Sequence, residues 1–194
     1  MPVQVRDAVA GDAGALALLW AEMLTAHRSD GVEQPDVTTA RAIARAADDP
    51  CARIVVAVTD GEVTGCVYLR IASVSPLAEQ PVMHLSHLQV DTRRTRQGIG
   101  RALVDAAVAW AEQSGVEGIV AAPGANDREA NRFLARLGLA SVAVLRGATV
   151  VAVRSKLPTA PPVAARQSGR NGRMVGHVVA ARRSQRRRRG EVVL

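Results

Sequence analysis

The stretch that most constrains this chain runs from Leu85 to Ala111 and reads LSHLQVDTRRTRQGIGRALVDAAVAWA. Its apolar start predicts a strand, and its middle predicts a turn rich in arginine and glycine. Its end predicts a helix with one buried face, because four apolar residues recur there at helical spacing: Leu103, Ala106, Ala107 and Trp110. A strand, a tight turn and an amphipathic helix in direct succession indicate a packed domain with both helices and strands.

The turn between this strand and helix has the composition of an anion site. Glycine lacks a Cβ atom, so the backbone can curl and point several N–H groups in one direction, towards the positive end of the following helix. Such a turn suits a phosphate or pyrophosphate. The alternative interpretation is that the turn only connects the strand to the helix and binds no anion. The residues that would form the site are Arg96, Gln97, Gly98, Ile99, Gly100 and Arg101.

The same run, V-D-T-R-R-T-R-Q-G-I-G-R-A-L, resembles the acetyl-CoA signature of the GCN5-related N-acetyltransferases (GNAT), Q/R-x-x-G-x-G/A. Gly98 and Gly100 fall on its two glycine positions. Thr95 stands where the signature has Gln or Arg, with Arg94 and Arg96 on either side. The resemblance implies an N-acetyltransferase that uses acetyl-CoA as acetyl donor and holds its pyrophosphate on this turn.

A later segment, DREANRFLARLGL, resembles the family's N-x-x-A-x-x-L-Y-x-x-x-G-F, with Ala130 and Gly138 in register. We predict a helix at Arg128–Leu137, with Asp127 as its N-terminal cap and Gly138 ending it. Asp127 stands for the Asn, although Asn126 is adjacent, and Leu134 stands for the Tyr that usually serves as general acid. The resemblance therefore implies that Asn126 lies beside the pantetheine or the sulfur, and it leaves the general acid unassigned.

Periodicity and turn residues predict the element order β-α-α-β-β-β-α-β-α-β-β over residues 1–156, which is similar to the GNAT fold. The expected fold class is α+β (an α/β three-layer arrangement), with a mixed, mostly antiparallel sheet of six to seven strands flanked by about four helices. Asp60-Gly61 predicts a hairpin turn. The last two strands are predicted at Ala140–Leu145 and Thr149–Val153, around Arg146-Gly147.

In the strand before the signature, the apolar residues shift from odd to even positions. Met83 and Leu85 share one parity, whereas Leu88 and Val90 share the other. Side chains alternate between the faces of a strand, so one buried face holds all four only if an extra residue is inserted. We therefore predict a β-bulge near Ser86-His87, which would splay the neighbouring strand and expose N–H groups.

Acetyl transfer to an amine needs a hydrogen-bond donor for the carbonyl oxygen and a base for the amine. We expect the donor to be the N–H of Leu88 and the backbone of Leu88, Gln89 and Val90 to pair with pantetheine like an added strand. The base candidates are His84 and His87, because histidine titrates near neutral pH. The family resemblance favours His84, and the alternative is that both histidines only lie on a solvated or hydrogen-bonded strand face.

The acceptor pocket is expected at the loop His27 to Pro35 and at the loop before Val82. The candidate substrate-binding residues are His27, Asp30, Glu33 and Tyr68, although Tyr68 is expected first of all to pack and the acidic residues to be solvated. No metal site is expected. The predicted partners are an amine-bearing small molecule or protein and, as an open alternative, a second copy of the chain.

Composition assigns the basic character to the end of the chain. Residues 157–194 contain nine arginines and one glutamate, so they account for more than the whole formal charge of +7, and the rest of the chain is close to neutral. This extension is poor in large apolar residues and is predicted to be disordered. Arginine runs bind phosphates, so nucleic-acid tethering is an alternative function of the tail, but no aromatic residues are interleaved with them.

Two cysteines in apolar strand-like runs, Cys51 and Cys66, predict buried thiols and a reducing compartment. No segment is apolar over about 20 residues and no secretory signal is recognisable, so we expect a cytoplasmic protein without a membrane partner. The remaining alternative to an enzyme is a module that binds acyl-CoA as a sensor and catalyses little.

Overall fold

A computed structural model describes residues 2–21, 35–77, 80–124 and 127–157. The chain divides into two units at residues 141 and 142, and the sheet belongs to the first unit. Within the described residues, the strands and helices are β1 (Gln4–Asp7), α1 (Ala13–Leu19), α2 (Pro35–Asp48), β2 (Ala52–Thr59), β3 (Glu62–Ala72), β4 (Val82–Val90), α3 (Ile99–Gln113), β5 (Ile119–Ala122), α4 (Arg128–Arg136) and α5 (Val150–Lys156).

The five strands form one sheet in chain order, β1-β2-β3-β4-β5. The first three pairings are antiparallel and the pairing of β4 with β5 is parallel, so the predicted mixed, mostly antiparallel sheet is confirmed. Asp60 and Gly61 connect β2 to β3 with φ values of 56° and 81°, the conformation that a two-residue hairpin requires at both central positions.

Helices cover both faces of the sheet, which confirms the predicted three layers. One face packs against α3 and contains residues such as Val55, Val67, Leu69, Met83 and Leu85. The other packs against α1 and α2 and contains Ile54, Val56 and Cys66. Helix α3 presents Leu103, Ala107 and Trp110 to the core, as the helical spacing predicted.

The predicted strand pair at the end of the domain is wrong for the described residues. Ala140–Leu145 has no regular secondary structure, and Thr149–Val153 lies largely in α5 rather than in a strand. The Thr149 hydroxyl accepts a hydrogen bond from the N–H of Ala152 at 3.1 Å and caps the first turn. Alternating valines favour a strand only where a neighbouring strand pairs with the backbone. A local helix with a capped start satisfies the backbone N–H and C=O groups without a neighbouring strand. The described sheet therefore has five strands, not six or seven.

The two cysteines differ in environment. Cys66 is fully buried, as predicted, and burial raises the pKa of its thiol to about 12. Cys51 is exposed, contrary to the prediction, because it lies in the turn before β2, where its N–H donates to Oδ1 of Asp49 at 2.9 Å. Among the described helices, none has both the length and the apolar character to cross a bilayer.

Candidate functional site

The predicted β-bulge lies in β4, one residue beyond its expected centre. Tyr68 pairs with Ser86 and Cys66 pairs with Gln89, so that two residues of β4, His87 and Leu88, lie opposite a single residue of β3. His87 has a φ of 57°, in the left-handed region that non-glycine residues rarely adopt.

The bulge returns the apolar residues of β4 to one face, as their change of phase predicted. Met83 and Leu85 are buried in the core beneath α3, and Leu88 and Val90 pack against the same core cluster. Without the extra residue, Leu88 and Val90 would lie on the opposite face of the sheet.

The left-handed residue of the bulge is held by three side chains. The Trp20 indole N–H donates to the carbonyl oxygen of His87 at 3.1 Å, and the two ring centroids are 5.8 Å apart. The Tyr68 ring is 6.2 Å from the imidazole in an edge contact. Nδ1 of His87 is 3.0 Å from Oγ of Ser86. The imidazole is therefore fixed on the face of the sheet that α1 covers.

The bulge also marks the point where β4 and β5 separate. Their parallel register covers Met83 to Ser86, which pair with Ile119 to Ala122. Beyond Ser86, the described register pairs β4 with β3 alone. The segment Leu88–Val90 therefore has one edge without a strand partner among the described residues. An extended ligand can pair with such an edge as an added strand does.

Ion pairs stabilise the turn that follows β4. The Asp91 carboxylate accepts hydrogen bonds from the N–H and the guanidinium of Arg93, and the Arg93 side chain lowers the pKa of this carboxyl. The Arg94 guanidinium lies 3.1 Å from Oδ2 of Asp60 and 3.8 Å from Oε2 of Glu62. The first part of the turn is thus bound both to itself and to the hairpin between β2 and β3.

The second part of the turn has the geometry of an anion site. Arg96 and Gly98 are left-handed, with φ values of 62° and 82°. Gly98 precedes α3 and has no side chain to cap the N–H groups of its first turn. Arg96 and Arg101 are exposed and form no ion pair with any residue in the described part of the chain. Uncapped N–H groups therefore lie at the positive end of a fifteen-residue helix, and two exposed arginines are close to them in sequence.

Gly65 of β3, which is not among the predicted site residues, brings this helix end close to the sheet. A Cβ atom at this position would lie 2.7 Å from Cγ2 of Ile99 and 3.2 Å from Cδ1 of Leu103. The signal was present, since a lone glycine inside a predicted strand indicates a bulge or a close approach. Trp20 was missed for a different reason, because only the folded chain brings it to the bulge, 67 positions away in sequence.

The two candidate bases occupy different environments. His87 lies in the bulge next to Leu88, the predicted donor. His84 is partly buried further back on β4, opposite Arg70, and its Nε2 is 3.1 Å from the carbonyl oxygen of Ala72. In a neutral imidazole, Nε2 donates in this contact, which leaves Nδ1 as the basic nitrogen of His84.

Tyr68 packs in the core, as expected, and its role in substrate binding stays a prediction. It packs against the core cluster beneath α1 and α2 and contacts the His87 ring. The Arg70 guanidinium is 3.4 Å from the Tyr68 hydroxyl and 3.2 Å from Oδ2 of Asp49. The other predicted substrate-binding residues, His27, Asp30 and Glu33, lie outside the described residues.

Helix α4 contacts the start of α3. Asp127 caps it by accepting from the N–H of Ala130 at 2.8 Å, and Gly138 ends it with a φ of 91°, both as predicted. A Cβ atom on Gly100 would make ordinary contact, 3.6 Å, with the Phe133 ring. Leu134, which stands for the family's tyrosine, is buried. Asn126 lies outside the described residues.

Comparison with known proteins identifies the family. The model of the acetyltransferase (GNAT) family matches residues 17–139, which include the bulge, the turn and α4 up to its C-terminal glycine. A search of curated proteins found no significant match to the sequence.

Solved structures share the fold at low sequence identity. A transcriptional regulator from Bacillus halodurans C-125 is 23% identical, with a TM-score of 0.66 over 76% of this chain and 100% of that one. A ribosomal-protein-alanine N-acetyltransferase from Brucella melitensis biovar Abortus 2308 is 20% identical, with a TM-score of 0.60 over 76% and 100%. A predicted acetyltransferase with acetyl-CoA from Clostridium acetobutylicum is 11% identical, with a TM-score of 0.60 over 78% and 98%.

Proposed function

The chain belongs to the GNAT acetyltransferase family, and from this premise we propose that it transfers the acetyl group of acetyl-CoA to a primary amine of a small molecule or protein by direct attack. The observation that carries the proposal is that the free edge of β4 is continuous with the start of α3. Leu88–Val90 has an edge with which no described strand pairs, and it leads to the uncapped start of α3 through a turn that the ion pairs of Asp91 and Arg94 stabilise.

The residues at the turn fit a pyrophosphate. A Cβ atom on Gly98 would meet no atom within 4 Å, so the space in front of this backbone is open. Backbone N–H groups at the helix start would bind the phosphate oxygens. Arg96 and Arg101 would add positive charge, and Gln97 would add side-chain hydrogen bonds. The pantetheine amides would pair with the backbone of Leu88, Gln89 and Val90.

The N–H of Leu88 would donate to the thioester carbonyl and stabilise the negative charge that develops on its oxygen during attack. As the amine nitrogen bonds to the carbonyl carbon, the carbon–sulfur bond breaks and CoA leaves as the thiolate. The amine must lose a proton in this process. We assign no protein group as the acid for the thiolate, because Leu134 has no proton to give.

We propose His87 as the base, and His84 as the alternative. The position of His87 beside Leu88 supports this choice, because a base must reach the nitrogen that attacks the carbonyl held there. Ser86 and the rings of Trp20 and Tyr68 fix the orientation of the imidazole. His84 would act from further along the strand, through water.

Calorimetric titration with acetyl-CoA tests the proposal. Gly98→Asp puts a carboxylate at the start of α3, where it would repel a pyrophosphate. Gly115→Asp is the matched control, because Gly115 is also left-handed (φ 67°) and open to solvent but follows the other end of α3. We expect binding by the wild type and the control and loss of binding in Gly98→Asp. Failure of the wild type to bind would overturn the proposal.

A second candidate function is a binding module that holds acyl-CoA without efficient turnover. The buried Leu134 favours this alternative, because it removes the hydroxyl that the family usually supplies. Release of CoA thiol in the presence of a panel of amines distinguishes the two. An enzyme releases thiol in an amine-dependent manner, whereas a binding module shows affinity with no release above the rate in buffer.

A further inference from the structure

Trp20 is distant from the acetyl-CoA signature in sequence, yet its side chain contacts the bulge. It follows α1, its ring is buried at 7% exposure, and its indole N–H donates to the carbonyl oxygen of His87 at 3.1 Å. The same ring forms an edge contact with the imidazole, at an interplanar angle of 70°. One side chain therefore holds both the backbone and the ring of His87.

The bonded carbonyl belongs to the same peptide unit as the N–H of Leu88. A peptide unit is planar, and in the trans form its C=O and N–H point in opposite directions. No cis peptide bond occurs in the described residues. A hydrogen bond to the oxygen of His87 therefore determines where the N–H of Leu88 points, which is away from the indole. This bond also polarises the peptide unit and makes its N–H a stronger donor.

The backbone at this point does not hold its conformation by itself. His87 is left-handed, at a φ of 57°, and relaxation to an extended conformation would rotate the peptide plane that follows it. The ladder from Ser86 to β5 ends before this residue, so the pairing with β5 does not restrain it. Trp20 supplies a restraint from outside the sheet, anchored in the core beneath α1 and α2.

We infer that Trp20 is a positioning residue for acetyl transfer: its indole N–H holds the peptide unit between His87 and Leu88 so that the Leu88 N–H is aimed at the thioester carbonyl. The inference rests on the proposed function and adds a residue from outside the strand and turn that the signature covers. Trp20 itself touches neither the acetyl group nor the amine.

The test compares Trp20→Phe with Trp110→Phe. Both replace a buried indole by a smaller ring, but Trp110 lies near the C-terminal end of α3, beneath the Arg53 guanidinium. Calorimetry then measures the dissociation constants of acetyl-CoA and of CoA for each protein. CoA lacks the carbonyl, so its affinity reports the phosphate turn and the pantetheine edge alone.

We expect the wild type and Trp110→Phe to bind acetyl-CoA more tightly than CoA. In Trp20→Phe this preference falls by about three- to tenfold, the effect of one hydrogen bond, while the affinity for CoA stays within about twofold. General structural damage would weaken both ligands alike. An unchanged preference in Trp20→Phe, or an equal loss for both ligands, would overturn the inference.

The carbonyl ¹³C chemical shift of His87 separates this inference from the proposed function, because it needs no ligand and reports the hydrogen bond from Trp20 directly. We expect this resonance to move upfield in Trp20→Phe, because the carbonyl loses its donor, and to stay in place in Trp110→Phe. Absence of acetyl-CoA binding by the wild type would overturn the proposed function together with the role of Trp20 in it. An unchanged His87 carbonyl shift, with acetyl-CoA binding intact in the wild type, would overturn the positioning role alone.

Discussion

Ile99, the first residue of α3, packs directly on the backbone of Gly65, where a Cβ atom would approach Cγ2 of Ile99 to 2.7 Å. This contact sets the distance between the helix that would bind the pyrophosphate and the strand that pairs with β4. A glycine in β3 thus determines where the turn before α3 lies relative to Leu88–Val90.

Replacing Gly65 by Ala will displace the start of α3. We expect a loss of about 1–3 kcal/mol in the free energy of unfolding and a several-fold loss of affinity for acetyl-CoA, measured by denaturation and calorimetry. Gly118→Ala is the matched control, because its Cβ would lie 2.9 Å from Cγ1 of Val82, at the far end of β4. It will destabilise the fold without weakening acetyl-CoA binding. Equal effects of both variants on affinity would contradict the prediction.

Replacing Arg96 by Gly will change stability and binding in opposite directions. The left-handed φ of 62° is unfavourable for arginine, so glycine will stabilise the fold by about 0.5–1 kcal/mol. Loss of the cation will weaken acetyl-CoA binding at low salt. Arg93→Gln is the comparison, because Arg93 is already paired with Asp91, and we expect it to change affinity less.

Titration at 20 and 300 mM NaCl provides a second readout for Arg96. The difference in affinity between the wild type and Arg96→Gly will shrink at high salt, because exposed charges are screened. A variant whose deficit is independent of salt would show that Arg96 acts through backbone conformation rather than through charge.

Replacing His87 by Gln will lower the rate of acetyl transfer more than replacing His84 by Gln. We expect a loss of about a hundredfold in kcat for the first variant and less than about tenfold for the second, with unchanged affinity for acetyl-CoA. The pH profile identifies the base, since the decline of kcat at acidic pH will disappear only in the variant that has lost it. If that decline disappears in His84→Gln alone, the roles are reversed.

The ion pair between Arg6 and Asp12 makes stability depend on pH. Hydrogen bonds from the Arg6 guanidinium, at 2.6 and 2.9 Å, hold the pKa of the Asp12 carboxyl below its usual value. A carboxyl whose pKa is lowered by folding stabilises the native state above its unfolded pKa, about 3.9. That contribution is lost as the pH falls through the lower folded pKa.

Asp12→Asn will therefore lower the free energy of unfolding by about 1–2 kcal/mol at pH 7, with an allowance for the partial exposure of Arg6. The difference from the wild type will diminish below about pH 4, where the wild type also loses its charge. Urea denaturation between pH 2.5 and 7 measures this difference. Asp7→Asn is the control, because Asp7 is exposed and its carboxylate forms no ion pair within the described chain. A constant difference at all pH values would contradict the assignment.

Much of the site is readable from local sequence because local rules specify it. The glycine pair predicts the turn before α3, Asp127 predicts the cap of α4, and the changed parity from Leu85 to Leu88 predicts the bulge. Each of these signals depends on residues within a few positions of one another. The steric and hydrogen-bonding constraints at this range do not depend on the rest of the fold.

The prediction of the final strands was wrong because it too relied on local sequence alone. The alternation in Ala140–Leu145 and Thr149–Val153 describes a chain able to form strands, but a strand forms only with a partner that satisfies its backbone. Thr149 supplies a helix cap instead. The apolar neighbours of Cys51 likewise predicted a buried thiol. Its exposure depends instead on the turn that precedes β2.

Sequence motifs and periodicity specify the family, the order of most strands and helices, the bulge and the glycine turn before α3. The groups that hold these parts in place follow from tertiary packing: Gly65 against Ile99, Arg94 against Asp60 and Trp20 against the His87 carbonyl. The last two contacts join residues 34 and 67 positions apart. Such contacts follow from the packing of whole elements, and no periodicity along the chain encodes them.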